Sequence, residues 1–204
     1  MTDEERPVRT NGWTTTSTRE IYANPWIRVR EDAVVRPDGG TGIYGVVEVR
    51  HPSVFVVAID EYERVVLIDL YRFTTASWST EVPAGSTDGE EPLVAAKREL
   101  AEETGLVADS WDHIGDMTSL NGISNAPEHV FLARGLRAAP DDGTASRAEE
   151  GIADVRRVPW REVQQLLATG RITDAETIAA LMFATIATGR FADQGPAGLT
   201  PAGP

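Results

Sequence analysis

The chain has 204 residues, 41% of them apolar and 25% charged, enough for one globular core with an elaboration. Its formal charge of −13 argues against a nucleic-acid or anionic-membrane partner. With no cysteine, disulfides, zinc-thiolate sites and thiol nucleophiles are excluded, which fits a reducing compartment. The N-terminal MTDEERPVRTNG is charged and polar, unlike a secretory signal, and no apolar run reaches membrane-spanning length. A cytoplasmic protein is the expectation.

Residues 1–16 read as a flexible lead-in. Strand patterns follow at Thr18 to Tyr22, Trp26 to Val35 and Gly42 to Arg50, with the polar PDGG at 37–40 turning the last two. The block 17–50 thus predicts an antiparallel β subdomain ahead of a larger domain over 51–189. From Ser53, SVFVVAID and RVVLIDLYR flank the turn-like EYE and predict a hairpin of buried strands. A helix is expected over Glu91 to Thr104, with Leu93, Ala96 and Leu100 at i, i+3, i+7 as its core face. Thr87 with Glu90, or Asp88 with Glu91, offers a capping box, and Gly105 a left-handed C-terminal cap. Strands are expected around Trp111 to Asp116 and His129 to Ala133, joined by SLNGISNAP. The acidic AAPDDGTASRAEEGIA is long enough for a mobile loop. A strand at Asp154 to Val158, helices at Trp160 to Ala168 and Thr173 to Thr188, and a disordered tail over 190–204 complete the chain. Mixed strands with few helices and no βαβ rhythm argue against a doubly wound sheet and give an α/β chain of the α+β type.

The chemistry concentrates on the helix at 91–104. At about 100° per residue, Glu99, Glu102 and Glu103 share an arc of roughly a quarter turn beside the apolar stripe. Like charges so placed destabilise a helix and call for compensating charge. Arg98 supplies one cation through its i+4 relation to Glu102, and a bound divalent metal would supply the rest. Oxygen ligands without His or Cys point to Mg²⁺ or Mn²⁺. The bland alternative is a solvated helix face. His51, His113 and His129 have no mutual spacing that suggests a metal site, and each is expected as a surface or satisfied core residue. Neither G-x-S-x-G nor a P-loop is present, so a serine hydrolase lacks its nucleophile elbow.

With its spacing, the stretch reads Gly85-x4-Glu90-x7-Arg98-Glu99-Leu100-x-Glu102-Glu103-x-Gly105-Leu106. It resembles the signature box of the Nudix hydrolases, with a first gap of four residues in place of five. The resemblance implies the Nudix fold, a mixed β-sheet layered between helices with the box as loop-helix-loop. It implies metal ligation by Glu99, Glu102, Glu103 and the carbonyl of Ala84, with Arg98 orienting the glutamates and Glu90 as the box's leading acid. The flanks NPWIRVREDAVVRPDG, YR…EVPAG, NGISNAPEHVFLARGL and GRITDAETIAALMFA look most like the ADP-ribose and nucleotide-sugar pyrophosphatases. On that likeness Arg72 matches an arginine that contacts the diphosphate. Trp26 and Tyr44 match rings that stack on adenine, the alternative being core aromatics of the β subdomain. Glu149 or Glu150 matches a glutamate that assists the attacking water, with Glu128 a further acidic candidate. In such relatives the N-terminal strands cross to a second subunit, which implies a homodimer. The implied activity is Mg²⁺-dependent hydrolysis of a nucleoside diphosphate derivative, ADP-ribose to AMP and ribose 5-phosphate being the first expectation. Rivals are another nucleotide-sugar or nucleoside triphosphate pyrophosphatase, and a Nudix-fold protein that senses ADP-ribose without cleaving it.

Overall fold

The computed structural model describes residues 12–190. In chain order its elements begin β1 (Thr14–Ala23), β2 (Ile27–Val35), β3 (Thr41–Val49), β4 (Ser53–Ala58), β5 (Arg64–Arg72), β6 (Ser77–Glu81), β7 (Ala84–Ser86) and α1 (Pro92–Thr104). They continue β8 (Leu106–Thr118), β9 (Ser124–Asn125), β10 (Pro127–Ala138), α2 (Thr144–Glu150), β11 (Ile152–Pro159), α3 (Trp160–Ala168) and α4 (Ala175–Ala187). The expected lead-in and tail lie outside the described residues except at 12–16 and 190, and residues 14–16 belong to β1. The described chain divides into two compact units, one made of residues 12–50 with 120–126, the other of 51–119 with 127–190.

In the first unit β1, β2 and β3 form an antiparallel meander, and β9 adds in parallel to β3. Asn24 sets the first turn. Its Oδ1 accepts from the Trp26 and Ile27 amides at 2.9 and 2.7 Å, as an Asx turn requires. The PDGG turn closes with Arg36 N donating to Gly40 O at 2.8 Å. Glutamates and arginines alternate across one face, Arg28 bridging Glu20 and Glu48 at 3.1 and 3.2 Å.

The second unit holds a mixed sheet in the order β7-β4-β10-β8 and a smaller sheet in the order β11-β5-β6. Strand β4 alternates between two cores. Phe55 and Val57 face Ala180, Leu181 and Ala184 of α4. Val54, Val56 and Ala58 face Ala95, Ala96 and Leu100 of α1. A strand covered by helices on both faces must be apolar at every position, which is why SVFVVA reads as an unbroken run. The layering is that of a mixed sheet between helices.

Several local expectations are corrected. β4 and β5 do not form a hairpin; they touch at the isolated bridge Ile59–Val65 and then part into different sheets. Each is apolar on both faces and takes two other partners, β7 and β10 for β4, β6 and β11 for β5. Asp60 shapes the connection, its Oδ1 accepting from the Tyr62 and Arg64 amides at 3.0 and 2.9 Å. The capping box is absent: α1 starts at Pro92 after Glu91 with no side-chain cap bond. Proline at the first position leaves one fewer donor to satisfy, and Thr87 is spent on a backbone turn with Glu90. Leu93 is exposed; Ala95 and Ala96 make the close contact with the sheet instead. The acidic loop contains the helical turn pair α2, bracketed by Gly143 and Gly151 at φ +70° and +73°. No helix among the described residues is long and apolar enough to cross a membrane.

Candidate active site

Helix α1 turns two carboxylates inward. Glu99 and Glu103 retain 5% and 2% of their surface exposure, whereas Glu102 is far more open. The i, i+4 spacing aligns the buried pair on one face, toward β7. Ala84 N donates to Glu103 Oε2 at 2.8 Å, which fixes that carboxylate against the strand preceding the box. Gly85 is next to it, and a Cβ there would fall 2.2 Å from the Glu99 carboxyl carbon. The leading glycine of the box is therefore a demand for space.

Arg98 ties the acids together. It donates to Glu90 at 2.9 Å, to Glu99 at 2.7 Å, to Glu102 at 3.0 Å and to the Ser86 carbonyl at 2.8 Å. Burial works against its charge, but the hydrogen bond to Glu90 and the charges of Glu99 and Glu102 outweigh it and raise its pKa further. The shortened gap thus leaves Glu90 paired with Arg98. Burial pushes Glu99 up to about 7 despite Arg98 beside it, with Glu150 and Glu102 adding to the rise. Burial likewise pushes Glu103 well above the usual carboxylate range, only partly offset by the Ala84 amide. Glu150 on α2 adds to the rise at both Glu103 and Glu99, which puts its charge near the pair.

Beside the box, a cleft of about 430 Å³ is lined by Arg72, Trp78, Glu81, Glu128, Asp174 and Glu176 among others. Arg72 grips Glu81 with Nε and Nη2 at 2.9 and 2.5 Å. That fork raises its pKa against the opposing effect of burial, and the charges of Glu103 and Asp174 add to it. Glu128 is buried, accepts from Ser119 at 2.5 Å, and leaves Oε2 without a hydrogen-bond partner among the described residues. Burial raises its pKa, as it does that of Asp174. Asp174 and Glu176 were not anticipated, because their use as the cap and first turn of α4 hides them among ordinary helix-start acids.

In the first unit, Trp26 is 68% exposed, which disposes of the core alternative for it. Tyr44 donates to the Gly122 carbonyl at 2.8 Å and meets Trp13 edge-on at 5.7 Å. Trp26 lies opposite Arg50 and Tyr44 opposite Asp32. Six positions of strand separate them, about 20 Å at ~3.3 Å per residue. One chain therefore does not bring these two rings together around one base.

The NUDIX domain family matches residues 49–181, box included. The chain belongs to the Nudix family. Residues 13–47 match a second family described as the nucleoside diphosphate sugar hydrolase N-terminal domain. The Nudix chain is 31% identical over 184 residues to an ADP-ribose pyrophosphatase of Mycobacterium tuberculosis, covering 89% of this chain and 87% of that one. It is 29% identical over 171 residues to a methanol dehydrogenase activator of Bacillus methanolicus, covering 83% and 90%. A crystal structure of an ADP compounds hydrolase superposes with a TM-score of 0.76 over 87% of this chain and 96% of that one, at 21% identity. That likeness establishes the Nudix fold.

Proposed function

We propose that this Nudix hydrolase cleaves the diphosphate of ADP-ribose, giving AMP and ribose 5-phosphate, with Mg²⁺ as its metal and Mn²⁺ able to replace it. The observation that carries the reading is the buried Glu99–Glu103 pair, with Arg72 in the adjoining cleft. Two carboxylates so desolvated, with Arg98 as the main compensating cation, suit a hard divalent ion. Glu99, Glu103, Glu102 and the carbonyl of Ala84 would hold it. When bound, the metal offsets diphosphate charge and activates water.

The chain's own groups would do the rest. Among the described residues Arg72 makes no hydrogen bond through Nη1, which would serve a phosphate oxygen while Glu81 fixes its plane. Glu150, whose charge raises Glu99 and Glu103, would accept the proton of the attacking water, with Glu128 the second candidate from the cleft wall and Glu149 the less favoured neighbour. Arg98 and Glu90 position the acids without touching substrate. Water adds to one phosphorus as the bridging P–O bond breaks, and the leaving phosphate carries away the electron pair. The ADP-ribose assignment draws on the relative that bears that name. A sensor that binds without cleaving would have no use for the retained carboxylates.

In this reading residues 17–50 form the N-terminal subdomain and 51–189 the catalytic domain, and the protein works in the cytoplasm as a homodimer without nucleic-acid or membrane partners. Exposed Ile21, Tyr22 and Ile43 on the N-terminal strands suit a second copy. A separation of about 20 Å between Trp26 and Tyr44 suits a base pocket assembled from two subunits. The test is a substrate panel with Mg²⁺, coupled to alkaline phosphatase so that only cleaved diphosphates release phosphate. ADP-ribose should lead the panel; no cleavage of any nucleoside diphosphate derivative would refute the reading.

A further inference from the structure

On strands β8 and β10, three side chains that the sequence scatters converge. His113 Nε2 and His129 Nδ1 both lie against one oxygen of Asp116, at 2.8 and 2.7 Å. The three ligand atoms fall within 4.8 Å of one another, and the two imidazoles are 5.9 Å apart between ring centroids. His113 and Asp116 are three apart on a strand and would ordinarily face opposite sides. A bulge reverses this. Val130 pairs with Gly115 and Phe131 with His113, so Ile114 is the extra residue and the parity of β8 shifts by one. His129 pairs directly with Asp116, which puts all three donors on one face.

The same face carries Phe131, buried in the α1-side core with its ring 5.3 Å from His113. This apolar backing holds one imidazole while the outer side stays open to solvent. Glu128, adjacent to His129 in sequence, points to the opposite face of β10, so the trio is separate from the cleft with Arg72. Asp116 is held below the usual carboxylate range by the hydrogen bond from His129, with His113 contributing. It is therefore an anion at neutral pH.

We propose that His113, Asp116 and His129 form a second metal site, distinct from the box, that takes a zinc-class transition ion and clamps β8 to β10 across the bulge. Two imidazoles and one carboxylate favour Zn²⁺, Ni²⁺ or Cu²⁺ over Mg²⁺ and Mn²⁺. Tetrahedral bonds of about 2.0–2.1 Å require the donors to draw in around the ion, which rotation of half-exposed side chains permits. Each ring would bind the ion, in its neutral form, through the nitrogen that faces Asp116. Three protein ligands leave the fourth position to water.

The test is zinc titration of metal-stripped full-length protein against a chromophoric chelator, in saturating Mg²⁺. The Glu103→Gln variant removes competition from the box. It should bind one equivalent of Zn²⁺, and adding His113→Ala or His129→Ala should weaken that equivalent by at least the roughly 10- to 100-fold that loss of an outer partner costs elsewhere. His129→Gln keeps a polar group beside Asp116 but loses the imidazole, so it should fail equally. Circular dichroism reports folding, and Mg²⁺-dependent hydrolysis in otherwise wild-type protein should survive all three histidine changes. Absence of a tight zinc equivalent in the Glu103→Gln protein, or the same affinity after the histidine changes, would overturn the site and leave a hydrogen-bonded surface cluster.

Discussion

Replacing Gly85 with alanine puts the geometry of the box under direct strain. An added Cβ would lie 2.2 Å from both Cδ and Oε1 of Glu99 and 2.6 Å from Oε2, far inside any real contact. The backbone has little freedom to yield, since Gly85 is paired with Val54 in the sheet. Gly85 is not among the positive-φ glycines, so the requirement is for room and not for a special dihedral. Glu99 must therefore leave, breaking its 2.7 Å bond from Arg98. Overpacking of this kind costs about 1–3 kcal/mol. For a chain of this size that lowers Tm by roughly 2–12 °C, at about 2–4 °C per kcal/mol. A displaced ligand group should also lower kcat by on the order of 100-fold, the penalty of a ~1 Å misplacement. Thermal melts and steady-state hydrolysis of ADP-ribose measure both. In a Glu99→Ala background the same glycine change should cost little stability, because the clash partner is gone. Wild-type turnover and melting in Gly85→Ala would refute the packing argument.

Burial raises Glu99 from its ordinary 4.5 to about 7, so its contribution to stability is full below about 4.5 and is lost as pH rises through 7. In metal-free protein this loss is about 3 kcal/mol, at ~1.36 kcal/mol per pH unit, and urea titrations at pH 5 and 8 should show a larger fall in wild type than in Glu99→Gln, in which Glu103 still loses stability in the same direction. A flat wild-type profile would contradict it. Trp26→Ala should raise KM for ADP-ribose roughly 10- to 100-fold, since stacking is worth roughly 1–3 kcal/mol per base, while melting stays unchanged; an unchanged KM withdraws the adenine role. Light scattering should report about 44 kDa, twice the 22.1 kDa chain; a fully active monomer would sink the shared-pocket proposal.

What the sequence disclosed and what it hid divide along physical lines. The box was legible because its chemistry fixes short-range spacings: Glu99 and Glu103 must share a helix face, and Arg98 must reach Glu102. The partner strands of β4 and β5 were not, since SVFVVAID and RVVLIDLYR carry no mark of which distant strands will flank them. Glu150 and Glu149 read alike while the segment looked like a loop; the charge that Glu150 exerts on Glu99 and Glu103 depends on the helical turn of α2. The histidines were dismissed for want of spacing, because a bulge at Ile114 is invisible in an alternating pattern and it alone brings His113 and Asp116 to one face. Leu93 was placed inside by periodicity, but the smaller Ala95 and Ala96 allow the closer approach to the sheet.

The central claim is that the buried box carboxylates drive hydrolysis of a nucleoside diphosphate derivative. Its most direct measurement is ADP-ribose turnover by wild type and Glu103→Gln, each in saturating Mg²⁺ and each checked for folding by circular dichroism. Glutamine preserves the shape and can still accept from the Ala84 amide, so the fold should stand while turnover falls by several orders of magnitude. Near-normal turnover in a folded Glu103→Gln protein would remove the box from the chemistry.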